Sequence, residues 1–129
     1  MRRLTAIVVV LASGCTPAQD ARPVERVDVA LTEWTFGSSR STFTAGTPYR
    51  FTLSNSGAVA HEWAVVPRGA TDESRLLVEV EEDRLPSGGR AELVFTFPAA
   101  GEYDFACFLP GHLESGMRIP ITVLPPERA

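Results

Sequence analysis

Apolar and polar residues alternate along most of the chain after residue 24, and this pattern predicts β-strands. Val27, Val29 and Leu31 alternate with polar or small neighbours, and Trp34 and Phe36 resume an alternation that predicts a continuation of the strand. Further alternating or apolar segments lie at residues 49–53, 61–66, 91–97, 101–107 and 119–124. Glycine, proline, serine and asparagine separate several of these segments, as at residues 37–39 and 45–48. Several short strands with such turns predict an all-β domain, either a sandwich or a barrel.

One internal stretch has no clear strand period. Between residues 67 and 89, the apolar positions Leu76, Leu77 and Val80 favour a short helix, which a Pro-Ser-Gly-Gly sequence then ends. Residues 79–83 are strongly acidic. This stretch is the part of the body whose structure the pattern determines least.

The first residues form an apolar segment that is expected to precede the folded body. Arg2 and Arg3 stand before an apolar run at residues 4–11, and small residues then lead to Cys15. This is the layout of an export signal, and the run is too short for a permanent membrane-spanning helix. The segment resembles a bacterial lipoprotein signal, which implies cleavage before Cys15 and lipidation of that cysteine. Ordinary signal cleavage after the small residues is the alternative.

This interpretation divides the chain into a signal peptide at residues 1–14, a polar tether at 15–23 and one folded domain at 24–126. The protein is then expected to be exported to the bacterial cell envelope, in the periplasm or on the outer face of a membrane. A lipid at Cys15 would anchor it to the membrane surface without spanning the bilayer.

Composition limits the classes of function. The chain has 129 residues, enough for one compact core, and its net charge is −4. Such a charge gives no reason to expect nucleic-acid binding, which needs a basic face. Only two cysteines occur, and assigning Cys15 to the export site leaves Cys107 alone in the body. A lone thiol in an oxidising compartment calls for a chemical role.

The segment from Cys107 to Met117 carries the candidate chemistry. It places a thiol, the His112 imidazole and a thioether within eleven residues, beginning at a strand end and passing through a Pro-Gly turn. The only other histidine is His61, at the start of a predicted strand. Two histidines, one cysteine and a weak axial methionine form the electron-transfer copper site. We therefore predict one copper ion, cycling between Cu(I) and Cu(II), bound by His61, Cys107, His112 and Met117.

Each of these residues also has a simpler interpretation. Cys107 could be a buried thiol or form a disulfide with Cys15, His61 and His112 could be ordinary polar residues, and Met117 could fill the core. Zinc is the main alternative metal, but methionine is a poor zinc ligand. A binuclear copper centre would need a second cysteine in the loop and a multicopper oxidase would need extra histidines, and the sequence has neither. We therefore expect no enzymatic activity.

The ligand segment resembles the cupredoxin family of small type 1 (blue) copper proteins, which includes plastocyanin, azurin and rusticyanin. Cys-x4-His-x4-Met, with Pro-Gly before His112 and Gly before Met117, is similar to the loop of that family, and residues 55–63 are similar to its first histidine segment. The resemblance implies a Greek-key β-sandwich whose last two strands are joined by the ligand loop. Glu62 departs from the family, where Asn or Ser often follows the first histidine and ties the ligand loops together.

The resemblance implies a one-electron carrier between membrane-associated redox partners, such as a cytochrome or a membrane oxidase or reductase. It places His112 near the surface, where Leu109, Pro110 and Leu113 could form an apolar docking patch, although ordinary loop packing also explains them. The acidic residues 79–83 could steer a basic partner or simply be solvated. We expect a monomer. Copper delivery or sequestration is the alternative function, and a copper-free interaction domain is a third.

Overall fold

The computed structural model describes residue 14 and residues 23–128, and nearly all of the latter belong to two β-sheets and their connections. The predicted signal peptide apart from residue 14, the predicted lipidation site Cys15 and most of the tether lie outside the described residues. The strands in chain order are β1 (Glu25–Thr32), β2 (Thr35–Ser38), β3 (Thr42–Thr44), β4 (Pro48–Asn55), β5 (Trp63–Pro67), β6 (Val78–Val80), β7 (Arg90–Thr96), β8 (Gly101–Ala106) and β9 (Arg118–Leu124).

The strands form a two-sheet sandwich. One sheet has the order β2-β1-β4-β7 and the other has the order β3-β9-β8-β5-β6. The chain passes repeatedly from one sheet to the other, and β1 lies parallel to β4 while β8 and β9 are antiparallel. This architecture confirms the predicted all-β sandwich and excludes the barrel. The ligand loop joins β8 to β9, the last two strands, as the family resemblance implies.

The core between the sheets holds the strands that lead to the candidate site. Alternate residues of β1 and β4 are buried because successive side chains of a strand point to opposite faces. From β4, Phe51 packs on Trp63 of β5 with ring centroids 5.0 Å apart, and Trp63 packs on Phe105 of β8 at 5.1 Å. Trp63 lies two residues after His61, and Phe105 lies two residues before Cys107. This aromatic cluster therefore sets the relative positions of two candidate ligands.

The first hairpin differs from the predicted continuous strand. β1 ends at Thr32, residues 33 and 34 form the turn, and β2 returns antiparallel with Leu31 opposite Phe36. Phe36 is buried with Leu31, whereas Trp34 at the turn is 40% exposed. The apolar positions shift by one residue between Leu31 and Trp34, and the turn lies at this break in the period of two. The turn at residues 33 and 34 was not predicted, and of the turn predicted at residues 37–39 only residue 39 lies outside β2, in the connection to β3.

The helix predicted from Leu76, Leu77 and Val80 is wrong. Residues Val78–Val80 form β6, which pairs with the edge of β5, and the Leu77 N–H donates to the Val65 carbonyl at 2.9 Å. The available sheet edge outweighs the weak local helical pattern. The one helix among the described residues is a 3-10 turn at Glu82–Arg84, and none there is long and apolar enough to cross a membrane.

Candidate metal centre

Three of the four predicted ligands converge at one end of the sandwich. His61 lies just before β5, Cys107 directly follows β8, and His112 lies on the β8–β9 loop. The His112 Nδ1 atom is 3.2 Å from the His61 Nδ1 atom and 3.3 Å from the Cys107 sulfur, and the three atoms lie within 4.8 Å of one another. Atoms that share one metal at about 2.0–2.3 Å have separations of this size. The sulfur and the two ring nitrogens therefore face a common point.

Burial differs among the three side chains. His61 and Cys107 are fully buried, whereas His112 retains part of its surface. A buried thiol with two imidazole nitrogens is a donor set that suits copper better than calcium or magnesium, which prefer oxygen. The donor set thus fits the predicted metal.

Backbone hydrogen bonds shape the ligand loop. The His112 N–H donates to the Leu109 carbonyl at 2.9 Å, which closes a turn that needs a positive φ of 84° at Gly111. The His112 carbonyl accepts the Met117 N–H at 3.2 Å, and the Met117 carbonyl accepts the Cys107 N–H at 3.2 Å. Only glycine adopts such a φ without steric cost, which explains the Pro-Gly sequence before His112.

Met117 is fully buried in the core at the end of the loop. Its backbone bonds to both Cys107 and His112 and so keeps it beside the cluster. Its contribution as an axial ligand remains a prediction, as does the ligand role of the other three residues.

Glu62 connects the first histidine segment to the ligand loop. Its Oε1 atom accepts the Phe108 N–H at 2.6 Å, immediately after Cys107. Burial raises the pKa of the Glu62 carboxyl to about 7, and the nearby carboxylates of Glu73 and Glu79 also raise it. The hydrogen bond from the Phe108 N–H lowers this pKa but does not outweigh burial. Glu62 therefore makes the loop-tying contact that Asn or Ser often makes in the resembled family.

The protonation states of two candidate ligands follow from their burial. Desolvation raises the pKa of the Cys107 thiol. Burial, reinforced by the neighbouring His61, lowers the pKa of His112. At neutral pH Cys107 is therefore a thiol and His112 a neutral imidazole. Because only a thiolate binds copper well, loading the site must release the proton of Cys107.

Sequence reasoning missed two residues of this site, Glu33 and Trp34, which form the β1–β2 turn. The Glu33 Oε1 atom lies 3.1 Å from the His61 Nε2 atom. The Trp34 ring meets the His112 ring edge-on, with centroids 4.7 Å apart, and lies 6.1 Å from the His61 ring. A turn predicted at residues 33 and 34 would have placed both residues outside the strands. Nothing in the sequence around them indicates that they contact His61 and His112, which are distant in the chain.

Among the described residues, the two sheets form a small β-sandwich with one cluster, His61, Cys107 and His112, that could hold a metal ion. The chain matches the family model of the cupredoxin-like domain over residues 3–119 and belongs to that family. Family and donor set both support one copper site.

Two proteins named copper-resistant cuproprotein CopI are similar in sequence. The protein of Rubrivivax gelatinosus is 28% identical over 111 residues, which cover 78% of this chain and 67% of that protein. The protein of Pseudomonas aeruginosa strain PAO1 is 26% identical, with coverage of 84% of this chain and 81% of that protein.

Solved structures of two kinds of protein share the fold. Auracyanin B superposes with a TM-score of 0.66 at 23% identity, covering 83% of this chain and 94% of that chain. Reduced rusticyanin superposes with a TM-score of 0.59 at 22% identity, covering 78% of this chain and 80% of that chain. These similarities confirm the cupredoxin fold.

Proposed function

We propose that this protein binds one copper ion through His61, Cys107, His112 and Met117 and carries one electron at a time. The observation that carries the proposal is the convergence of the Cys107 sulfur and two histidine Nδ1 atoms within 4.8 Å. A bound copper ion would supply the Cu(I)/Cu(II) couple. Thiolate and thioether ligands favour the reduced ion, while imidazole ligands also suit the oxidised ion.

A rigid donor set supports electron transfer because both oxidation states must accept the same ligand positions. His61 and Cys107 are buried without exposed surface. The loop is closed by hydrogen bonds between Cys107, His112 and Met117, and Glu62 holds its first turn. Little rearrangement is then needed when the charge of the site changes by one.

Partial exposure of His112 supports a route for the electron to a partner. Leu109 and Leu113 are half-buried beside it, and Pro110 is exposed on the same loop. We propose that this apolar surface makes the brief contact with a redox protein, since such encounters need only a small interface.

An acidic cleft next to this surface supports the proposal that the redox partner is a basic protein such as a cytochrome. Its volume is about 220 Å³. Its lining residues are Glu62, Glu73, Glu79, Glu81, Glu82 and Leu109. Clustered like charges attract an oppositely charged protein over a range that salt shortens. The cleft therefore extends the predicted acidic surface at residues 79–83 toward the ligand loop.

Electron exchange with a basic cytochrome tests this function directly. The reduced copper-loaded protein is mixed with oxidised cytochrome in a stopped-flow instrument at increasing ionic strength. We expect single-phase oxidation whose second-order rate constant falls as salt rises. A copper-loaded protein that is coloured and reducible but exchanges no electrons with several redox proteins would contradict the carrier role.

Copper delivery or sequestration is the second candidate, favoured by the names of the two CopI relatives. Transfer of Cu(I) to a competing chelator separates the two functions. A carrier with buried His61 and Cys107 should release Cu(I) slowly, over far longer times than electron exchange takes. Rapid metal loss with poor electron exchange would favour delivery.

We also propose that the protein works in the cell envelope, exported by residues 1–14 and held at the membrane surface by a lipid on Cys15. Mass spectrometry of the mature protein would detect an acylated N-terminal cysteine. A mature chain that keeps residues 1–14, or one with an unmodified Cys15, would contradict the anchor.

Replacing Met117 with Gln should leave copper bound but change its reduction potential. The axial bond is weak, and an amide oxygen is a harder donor that stabilises Cu(II) relative to Cu(I). We expect a lower potential by cyclic voltammetry and one copper per chain by elemental analysis. Loss of all copper from the variant, with the fold intact, would mean that Met117 contributes more than a weak axial bond.

A further inference from the structure

A carboxylate contacts the side of His61 that faces away from the metal cluster. Glu33 belongs to the turn between β1 and β2, in the sheet opposite to the one that carries the ligand loop. Its Oε1 atom lies 3.1 Å from His61 Nε2, while His61 Nδ1 lies 3.2 Å from His112 Nδ1. The two nitrogens of one buried ring therefore face different partners, and only one imidazole separates a negative charge from the metal position.

The surrounding backbone leaves space for the Glu33 carboxylate and donates a hydrogen bond to it. Glu33 Oε1 also accepts the Val59 N–H at 3.0 Å. A Cβ atom at Gly57 would lie 2.3 Å from the same oxygen, so any residue larger than glycine there would displace Glu33. Buried Asn55 holds the loop by accepting the Gly57 N–H at 2.9 Å and donating to the Val59 carbonyl at 2.8 Å. The contact between Glu33 and His61 is thus stabilised by the Val59 N–H and by the loop that Asn55 holds in place.

Proton placement on His61 follows from these contacts. A histidine that ligates a metal through Nδ1 must be neutral and carry its proton on Nε2. The Glu33 carboxylate can only accept a hydrogen bond, so it stabilises that tautomer and orients the ring. The same negative charge stabilises a Cu(II) ion more than a Cu(I) ion, because its attraction grows with the charge of the ion.

We propose that Glu33 is the positioning residue that sets the His61 tautomer and, through its charge, lowers the reduction potential of the copper site. This inference rests on the proposed copper function. It assigns a role at the site to a residue that ligates nothing and lies 28 positions before His61 in the chain.

Two substitutions at Glu33 separate the effect of its charge on the reduction potential from the effect of its hydrogen bond on the His61 tautomer. Glu33→Gln keeps an oxygen that can accept hydrogen bonds from His61 and Val59 but removes the charge. Glu33→Ala removes both. Glu114→Gln is the matched control, because Glu114 is an exposed residue of the ligand loop whose charge acts on His112 without a hydrogen bond to His61.

Voltammetry of the copper-loaded proteins gives the first readout. We expect Glu33→Gln to decrease the ratio of Cu(II) affinity to Cu(I) affinity about tenfold, which raises a one-electron potential by about 59 mV. Glu114→Gln should shift the potential less, because Glu114 has no hydrogen bond to His61, whereas the 30% exposed Glu33 side chain lies against the His61 ring. A Glu33→Gln potential equal to that of the wild type or of the Glu114→Gln control would overturn the charge effect.

Nitrogen-15 NMR of the copper-free proteins gives the second readout and does not depend on copper. The His61 ring should carry its proton on Nε2 in the wild type and in Glu33→Gln, and should lose that preference in Glu33→Ala. A wild-type ring protonated on Nδ1, or an unchanged tautomer in Glu33→Ala, would overturn the positioning role. A wild-type protein that forms no redox-active copper site would instead refute the proposed function, and the tautomer measurement would still decide the role of Glu33 at His61.

Discussion

Replacing Cys107 with Ser is expected to abolish the intense visible absorption of the oxidised copper-loaded protein. The absorption arises from charge transfer between the cysteine thiolate and Cu(II), and a serine hydroxyl cannot replace that donor. Cys107 is the only thiol among the predicted ligands, and its sulfur lies 3.3 Å from His112 Nδ1. No neighbouring residue of the cluster can therefore take over its role.

Copper affinity should fall in the same variant. Structural zinc sites with four ligands give a reference, since their binding free energies are about 10–16 kcal/mol. One ligand of four then contributes roughly 3 kcal/mol. We therefore expect the loss of Cys107 to lower the copper affinity at least about 100-fold. Competition with a Cu(I) chelator measures this change. Circular dichroism of the copper-free variant is the control, since Ser is close to Cys in size and the sandwich should remain folded. A variant that keeps the visible band would show that Cys107 is not the thiolate ligand.

Replacing Asp104 with Asn should destabilise the copper-free protein more than any comparable surface change. Asp104 is 2% exposed, accepts the Gly69 N–H at 2.8 Å and lies 2.6 Å from the guanidinium of Arg118. Arg68 lies near the other carboxylate oxygen at 3.7 Å. Breaking a fully buried pair costs about 3–5 kcal/mol, and we expect about 2–3 kcal/mol here. The expected cost is smaller than for a fully buried pair because the Arg118 side chain is 24% exposed and remains partly hydrated.

The exposed pair of Arg50 and Glu92 provides the control for this prediction. Their side chains are 45% and 52% exposed, and their charged atoms lie 2.6 Å apart. Glu92→Gln should cost less than about 1 kcal/mol, because water already solvates both partners. Urea unfolding of the two copper-free variants gives the comparison. Equal losses for Asp104→Asn and Glu92→Gln would mean that the buried pair contributes no more than a surface contact.

The Asp104 pair also bears on the metal site. Asp104 lies on β8 three residues before Cys107, and Arg118 directly follows Met117 at the start of β9. The ion pair therefore links the two strands from which the ligand loop extends. Loss of the pair should loosen the loop as well as the sandwich.

Strand positions and the ligand cluster could be predicted because each has a local signal. Residues of β4 alternate between buried and exposed, and that burial is the physical cause of the sequence period. Cys107, His112 and Met117 lie close together in the chain, so a single loop can bring them together. His61 was recognisable because the chain has no other histidine outside the loop.

The parts that escaped prediction depend on contacts between distant segments. β6 forms because β5 offers it an edge, which the sequence of residues 76–80 does not reveal. Glu33 reaches His61 because β1 pairs in parallel with β4, with Leu31 opposite Asn55. This register brings the end of β1 beside the loop that leads to His61. No spacing pattern encodes such a parallel pairing, so Glu33 and Trp34 were visible only in the folded structure.

The absorption spectrum of the oxidised protein loaded with one equivalent of copper tests the central claim most directly. We expect an intense visible band from the Cys107 thiolate that reaches full strength at one copper per chain and bleaches reversibly on one-electron reduction. A colourless copper-loaded protein with no redox wave would contradict the proposal that this cupredoxin-like domain is an electron-transfer copper protein.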